Sequence, residues 1–168
     1  MVILGIDPGS IVTGYGVVEI RGARLRRITD GRVRTDAGAP LPARLLQIHA
    51  GLLAVIAEFA PAEAAVEALF NARNARSSLV LGHARGVALL AAASRGLPVA
   101  EYAPREVRRA ITGNGAASKD QARFMVCRYL GLERAPDSLD ASDALAVALC
   151  HAMRRAVRLD AVPGGARA

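Results

Sequence analysis

Val2-Ile3-Leu4-Gly5-Ile6-Asp7-Pro8-Gly9 decides the fold. A short, continuous, branched apolar run closed by a Pro-Gly turn reads as a strand covered on both faces. Its last residue is a bare carboxylate, which at the edge of a core must be solvated, paired or bound to a metal. Open α/β sheets place their chemistry at such strand ends. Taken alone, Asp7-Pro8-Gly9-Ser10 also reads as an ordinary turn, because Asp, Pro and Gly are turn formers for backbone reasons. The rest of the chain separates the two readings.

Working outward, two further strands are expected near 13–20 and 24–35, joined by short hairpin connections. Leu41, Leu45, Ile48, Leu52, Val55 and Ile56 recur at helical intervals between Pro40 and Phe59. Residues 64–69 form a short apolar strand candidate, and 74–94 a long helix. From Leu79 to Ala93 that helix is apolar or small nearly all round, the pattern of a helix buried in a core or a subunit contact. A fifth strand is expected over 99–102, then helices near 104–112, 118–131 and 139–157, with Ser118 placed to cap the second of these. Three leading strands followed by alternating helices and strands imply an α/β fold, a mixed sheet with helices on its faces. One domain over 1–157 and a loose tail over 158–168 complete the expected organisation.

The 168 residues suit one core, and 52% apolar with 22% charged residues excludes a disordered chain. No apolar stretch is expected to reach the ~20 residues of a membrane span. No export signal is visible at the N-terminus, so the cytoplasm is the expected compartment. Cys127 and Cys150 lack metal-site spacing and read as small apolar residues.

Net charge is +7 and the pI about 10.6, which implies attraction to a polyanion, nucleic acid or acidic lipid. No basic amphipathic anchor is evident, which favours nucleic acid. Lys119 is the sole lysine beside 21 arginines. A compact ammonium is not equivalent to a planar guanidinium, so Lys119 is a candidate phosphate or transition-state contact.

Three more acidic residues stand in apolar surroundings. Glu67 closes the strand candidate Ala64-Ala65-Val66, although it also reads as a solvated helix residue. Asp140 and Asp143 share one helix face at i,i+3 spacing, where dipole and capping effects alone can account for acidic residues. If all four carboxylates converge, each like-charged pair at about 5 Å repels by roughly 3 kcal/mol at an effective dielectric near 20. Several such pairs rival a whole domain's stability of about 5–15 kcal/mol, so the set must protonate or hold cations. Hard oxygen donors without Cys or His point to Mg²⁺ or Mn²⁺, and four carboxylates balance two divalent ions. Paired ions activate water and stabilise a leaving oxygen in phosphodiester cleavage. A basic protein with such an acidic pit has the character of a nuclease.

These residues carry a family likeness. Gly5-Ile6-Asp7-Pro8-Gly9-Ser10 with Thr13-Gly14-Tyr15-Gly16-Val17 closely resembles the opening signature of the RuvC family of Holliday-junction resolvases. So do Val66-Glu67 with Phe70-Asn71-Ala72-Arg73-Asn74, Leu81 to Gly86, Thr112 to Lys119, and Asp140 to Ala146. The resemblance covers residues 1 to about 155, with five blocks in order. It implies an RNase H-like three-layer fold with a five-stranded mixed sheet, and a homodimer that resolves four-way junction DNA by paired symmetric nicks. It further implies that Asp7, Glu67, Asp140 and Asp143 are the catalytic quartet and bind two Mg²⁺, Asp7 bridging the ions. A branch-migration motor is the partner it implies.

Phe70 follows Glu67 in a polar segment. In the family an aromatic near this place reaches into the opened junction, where stacking on a base is worth about 1–3 kcal/mol; a core Phe is the alternative. Arg73, Arg76, Arg108 and Lys119 are candidate DNA-backbone contacts, since phosphate neutralisation dominates affinity; each also reads as a solvated charge. His83 is expected to pack near the interface rather than act as a catalyst. Of the rival readings, an actin-like or sugar-kinase ATPase needs a second lobe for which the chain has no room. A junction-binding module without catalysis leaves the carboxylates unexplained, and a nuclease acting on RNA/DNA hybrids differs only in substrate.

Overall fold

The computed structural model describes residues 1–68 and 75–160. Strands β1 (Val2–Asp7), β2 (Val12–Arg21) and β3 (Arg24–Arg34) precede α1 (Leu41–Phe59), β4 (Glu63–Glu67), α2 (Ala75–Ala93), β5 (Val99–Tyr102), α3 (Pro104–Thr112), α4 (Lys119–Leu130) and α5 (Leu139–Asp160). The expected elements are all present. Helix α5 runs past 157, the expected end of the domain, to Asp160.

The five strands form one sheet in the order β3-β2-β1-β4-β5. β1 pairs antiparallel with β2 and parallel with β4, so it is the seam between the hairpin half and the crossover half. Its position explains the unbroken apolar run. Leu4 and Ile6 face a core shared with Ile48, Leu52 and the alanines of α2, while Ile3 faces a second core with Val126, Leu145 and Leu149. Helices α1 and α2 thus cover one face and α3, α4 and α5 the other, the three-layer arrangement expected.

Helix α5 lies against β1 and β2 because glycine lines its track. A Cβ on Gly5 would fall 2.1 Å from the Ala144 carbonyl oxygen, and one on Gly14 would fall 2.1 Å from the Asp140 carbonyl oxygen. Farther along, α5 is tied to the crossover half by a polar chain. The His151 ring hydrogen-bonds the Tyr102 hydroxyl (2.8 Å) and the Glu63 carboxylate (2.7 Å), and Arg155 pairs with the same carboxylate. This chain fixes the helix over β4 and β5.

One expectation needs correction. Helix α1 has 19 residues and is apolar enough, by length and composition, to cross a bilayer. It instead packs Ile48, Leu52, Val55 and Ile56 on the sheet. Helix α2 is buried only along Ala84, Ala88, Ala91 and Ala92, with Leu79 65% and Leu90 59% exposed. One face of α2 is therefore left open in the single chain.

Candidate active site

Asp7 and Glu67 end neighbouring parallel strands, and the register Ile6↔Val66 sets them side by side. The sequence separates them by 60 positions, and the β1–β4 crossover closes that gap. Asp7 leads into a turn that is braced from both flanks. The buried Thr13 hydroxyl donates to the Gly9 carbonyl (2.8 Å), and the Thr35 hydroxyl donates to the Ser10 carbonyl (3.0 Å). The carboxylate is thus held by a fixed backbone.

Asp140 and Asp143 come from the first turns of α5. Ser138 starts that helix, its hydroxyl accepting from the Ala141 amide (3.1 Å), an N-cap contact. Because Gly14 is paired with Asp7 and supports Asp140 from below, α5 brings both aspartates over the end of β1. The sequence reading missed Thr13, Thr35 and Ser138 as supports; a serine two positions before the first acidic residue of a helix is a legible cap signal.

The electrostatics show the convergence. Burial, reinforced by Glu67, Asp143 and Asp140, pushes the Asp7 carboxyl up to about 8. Glu67 is raised too, by burial first and by Asp143 next, against the opposing pull of Lys119 and Arg108. The direct interaction between the two carboxyl groups raises Asp7 and lowers Glu67, as expected where one proton serves both.

Lys119, the first residue of α4, reaches into this group and donates to Asp143 (Nζ to Oδ2, 2.9 Å). That contact raises the Lys119 ammonium. Glu67, Asp143, Arg108, Lys119, Val107 and Ile111 line a cleft of about 190 Å³. Arg108 is steadied by its Nε donating to the Gly115 carbonyl (3.2 Å). Arg76 lies exposed in the first turn of α2, and His83 is exposed on the same helix, bonded to the Leu79 carbonyl. Phe70 and Arg73 lie outside the described residues.

Among the described residues, no three Asp, Glu, His or Cys side chains already form a closed ligand group. The donor set nonetheless fits a hard divalent cation. It consists of carboxylate oxygens, two of them held above their ordinary range by burial and by their acidic neighbours, and an ammonium already occupies the adjoining position.

A family model described as crossover junction endodeoxyribonuclease RuvC matches residues 3–151. The chain belongs to the RuvC family. It is 52% identical to the crossover junction endodeoxyribonuclease RuvC of Halorhodospira halophila, over 98% of each chain. It is 51% identical to the RuvC of Desulforamulus reducens, over 90% of this chain and 93% of that one. Its fold matches Thermus thermophilus RuvC in complex with a Holliday junction substrate at TM-score 0.89 and 39% identity, over 94% and 96% of the two chains. The sheet and helix layers are accordingly the RNase H-like fold of RuvC, and the RuvC family is one of metal-dependent nucleases.

Proposed function

We propose that this RuvC-family endodeoxyribonuclease resolves four-way DNA junctions by hydrolysing one phosphodiester in each of two opposed strands, through two Mg²⁺ ions held by Asp7, Glu67, Asp140 and Asp143. One observation carries the site assignment. Carboxylates from β4 and α5 add to burial in lifting Asp7 of β1 to about 8, a state that divalent cations relieve. When bound, the ions supply water activation and stabilisation of the leaving oxygen.

The chain's own groups do the remaining work. Lys119 and Arg108 line the cleft beside Glu67 and Asp143, and their positive charges hold a phosphate that the four carboxylates would otherwise repel. Lys119 also keeps Asp143 oriented. The braced turn after Asp7 and the glycine-seated start of α5 keep the carboxylates at fixed spacing, which is the pre-organisation that catalysis needs.

Two symmetric cuts require two sites. The open face of α2, with Leu79, Leu90, Gly82 and Gly86 beside Leu45 of α1, supports a homodimer joined across this helix. Phe70 and Arg73 would act on the opened junction, with Arg76 on its backbone. A branch-migration motor is the proposed partner and the cytoplasm the proposed compartment.

The test is to incubate the protein with four-way junction, linear duplex and RNA/DNA hybrid, with and without Mg²⁺. Symmetric nicks in the junction alone, dependent on the metal, are expected. Cleavage of hybrid in preference to junction, or none with metal present, would overturn the reading.

A further inference from the structure

Arg108 and Lys119 line the cleft beside Glu67, on the β4 side of Asp7. A strand whose scissile phosphate rests on Asp7 must continue past it on the other side as well, where β2 and β3 form the rim.

Register identifies what is there. Asp7 pairs with Gly14, and Gly14 pairs with Arg32, so the three stand in one row across β1, β2 and β3. Directly paired residues project to the same face of a sheet. That face is the α5 face, because a Cβ on Gly14 would meet Asp140 of α5. Arg32 is two strand spacings from Asp7, roughly 10 Å. Arg34, paired with Val12, is two residues nearer the strand end and shares the face.

The rest of β3 shows that this placement is not uniform along the strand. A bulge opposite Val17 and Val18 divides β3 and resets its alternation. On the far side of the bulge from the site, Arg26 is paired with Glu19 and Arg27 with Asp30, while Arg24, at the strand end remote from Asp7, is exposed and forms no ion pair among the described residues. On the near side, Arg32 and Arg34 are exposed and form no ion pair among the described residues. A charged edge strand guards against edge-to-edge pairing. That role is met by any charge, paired or not, and does not call for two unneutralised guanidinium groups level with the acidic site.

We infer that Arg32 and Arg34 bind backbone phosphates of the junction on the flank of the scissile phosphate opposite Arg108 and Lys119. The substrate strand then crosses the rim of the sheet from the α3–α4 cleft, over Asp7, to the end of β3. Guanidinium groups suit this task because their forked donors take a phosphate bidentately. The inference rests on the junction-cleaving function proposed above and adds a site on the opposite side of the catalytic carboxylates.

The experiment measures binding of a labelled four-way junction to the full chain without divalent metal, across a salt series. Removing one phosphate-binding side chain lowers the slope of log affinity against log salt by about 0.9. The double variant Arg32→Ala/Arg34→Ala should show close to two such decrements, Arg32→Lys/Arg34→Lys should regain most of the slope, and Arg24→Ala, at the far end of the same strand, should keep it. A wild-type slope in the double alanine variant, or an equal decrease in Arg24→Ala, overturns the inference. If the wild-type chain nicks junctions while the double variant keeps its slope, this inference alone fails. If the wild-type chain neither prefers nor nicks junctions, the functional reading fails first.

Discussion

The Lys119 ammonium sits 2.9 Å from the Asp143 carboxylate, joining the first residue of α4 to the first turns of α5. Through this contact the only lysine in the chain faces a group of carboxylates drawn from three other elements. Its charge lowers Glu67 against the upward push of burial and Asp143. Replacing Lys119 with Ala should therefore raise Glu67 further and slow nicking by about 10- to 100-fold, the cost of removing one charge-assisted hydrogen bond to phosphate. Side-chain carboxyl NMR of the metal-free protein and single-turnover cleavage measure the two effects. An unmoved Glu67 would contradict the electrostatic role.

Asp7→Asn should abolish nicking while junction binding stays equal or tightens. On the proposed function, the substitution removes a charge that would ligate metal and also a negative charge that repels phosphate. A variant that cuts at the normal rate would remove Asp7 from the catalytic set; gel-shift and cleavage assays on one preparation settle it.

The pH dependence follows from the raised Asp7 carboxyl. The unfolded chain releases this proton at about 3.9, the folded chain at about 8. Between those values the native state binds the extra proton, so the stability of the metal-free protein declines as pH rises from about 4 through about 8. At a pH of about 8, Asp7→Asn should raise stability by roughly 1–3 kcal/mol, read by denaturant unfolding in chelator. Metal should restore what pH removes, so the stabilisation by Mg²⁺ should grow over the same interval.

Gly14→Ala tests the seat of α5. The added Cβ would overlap the Asp140 carbonyl oxygen, and relief by shifting the helix would carry both aspartates away from Asp7. A cost of about 1–3 kcal/mol is expected from overpacking, with a fall in nicking larger than the stability change explains. Gly22→Ala, whose Cβ would meet nothing within 4 Å, is the comparison. Its backbone is left-handed, so it too is destabilised, but its nicking rate should stay near normal.

Gly86→Asp places a charge on the open face of α2, where a Cβ has free space in the single chain. The isolated fold should tolerate it. Sedimentation should then show monomers, and cutting should lose its two-strand coordination. An intact dimer would move the subunit contact elsewhere.

Much of this was readable from local pattern. The apolar run ending in Asp7 marked a covered central strand because a strand buried on both faces has no reason to alternate. Residues 99–102 and 104–112 were delimited by Pro98 and Pro104, which cannot continue the preceding element. Ser118 declared the start of α4, and its hydroxyl accepts from the Gln121 amide. The acidic residues were recognisable as anomalies, charges embedded in apolar stretches, and their family likeness was carried by the motifs around them. Which side of α2 stays open in the single chain was not legible, because a helix that is apolar or small all round does not reveal which side its own sheet will cover.

The sequence by itself determined the elements and the class of fold, because these are set by residue type and short-range spacing, and it marked Asp7, Glu67, Asp140 and Asp143 as candidates through the motifs around them. Only the tertiary structure decided that Asp7 lies beside Glu67, that Lys119 reaches Asp143, and that Arg32 stands in the same row as Asp7. Those neighbours come from strand order and register, which pair residues that are distant in the chain. Periodicity reports which face a residue turns to, and the pairing of strands decides what it meets there.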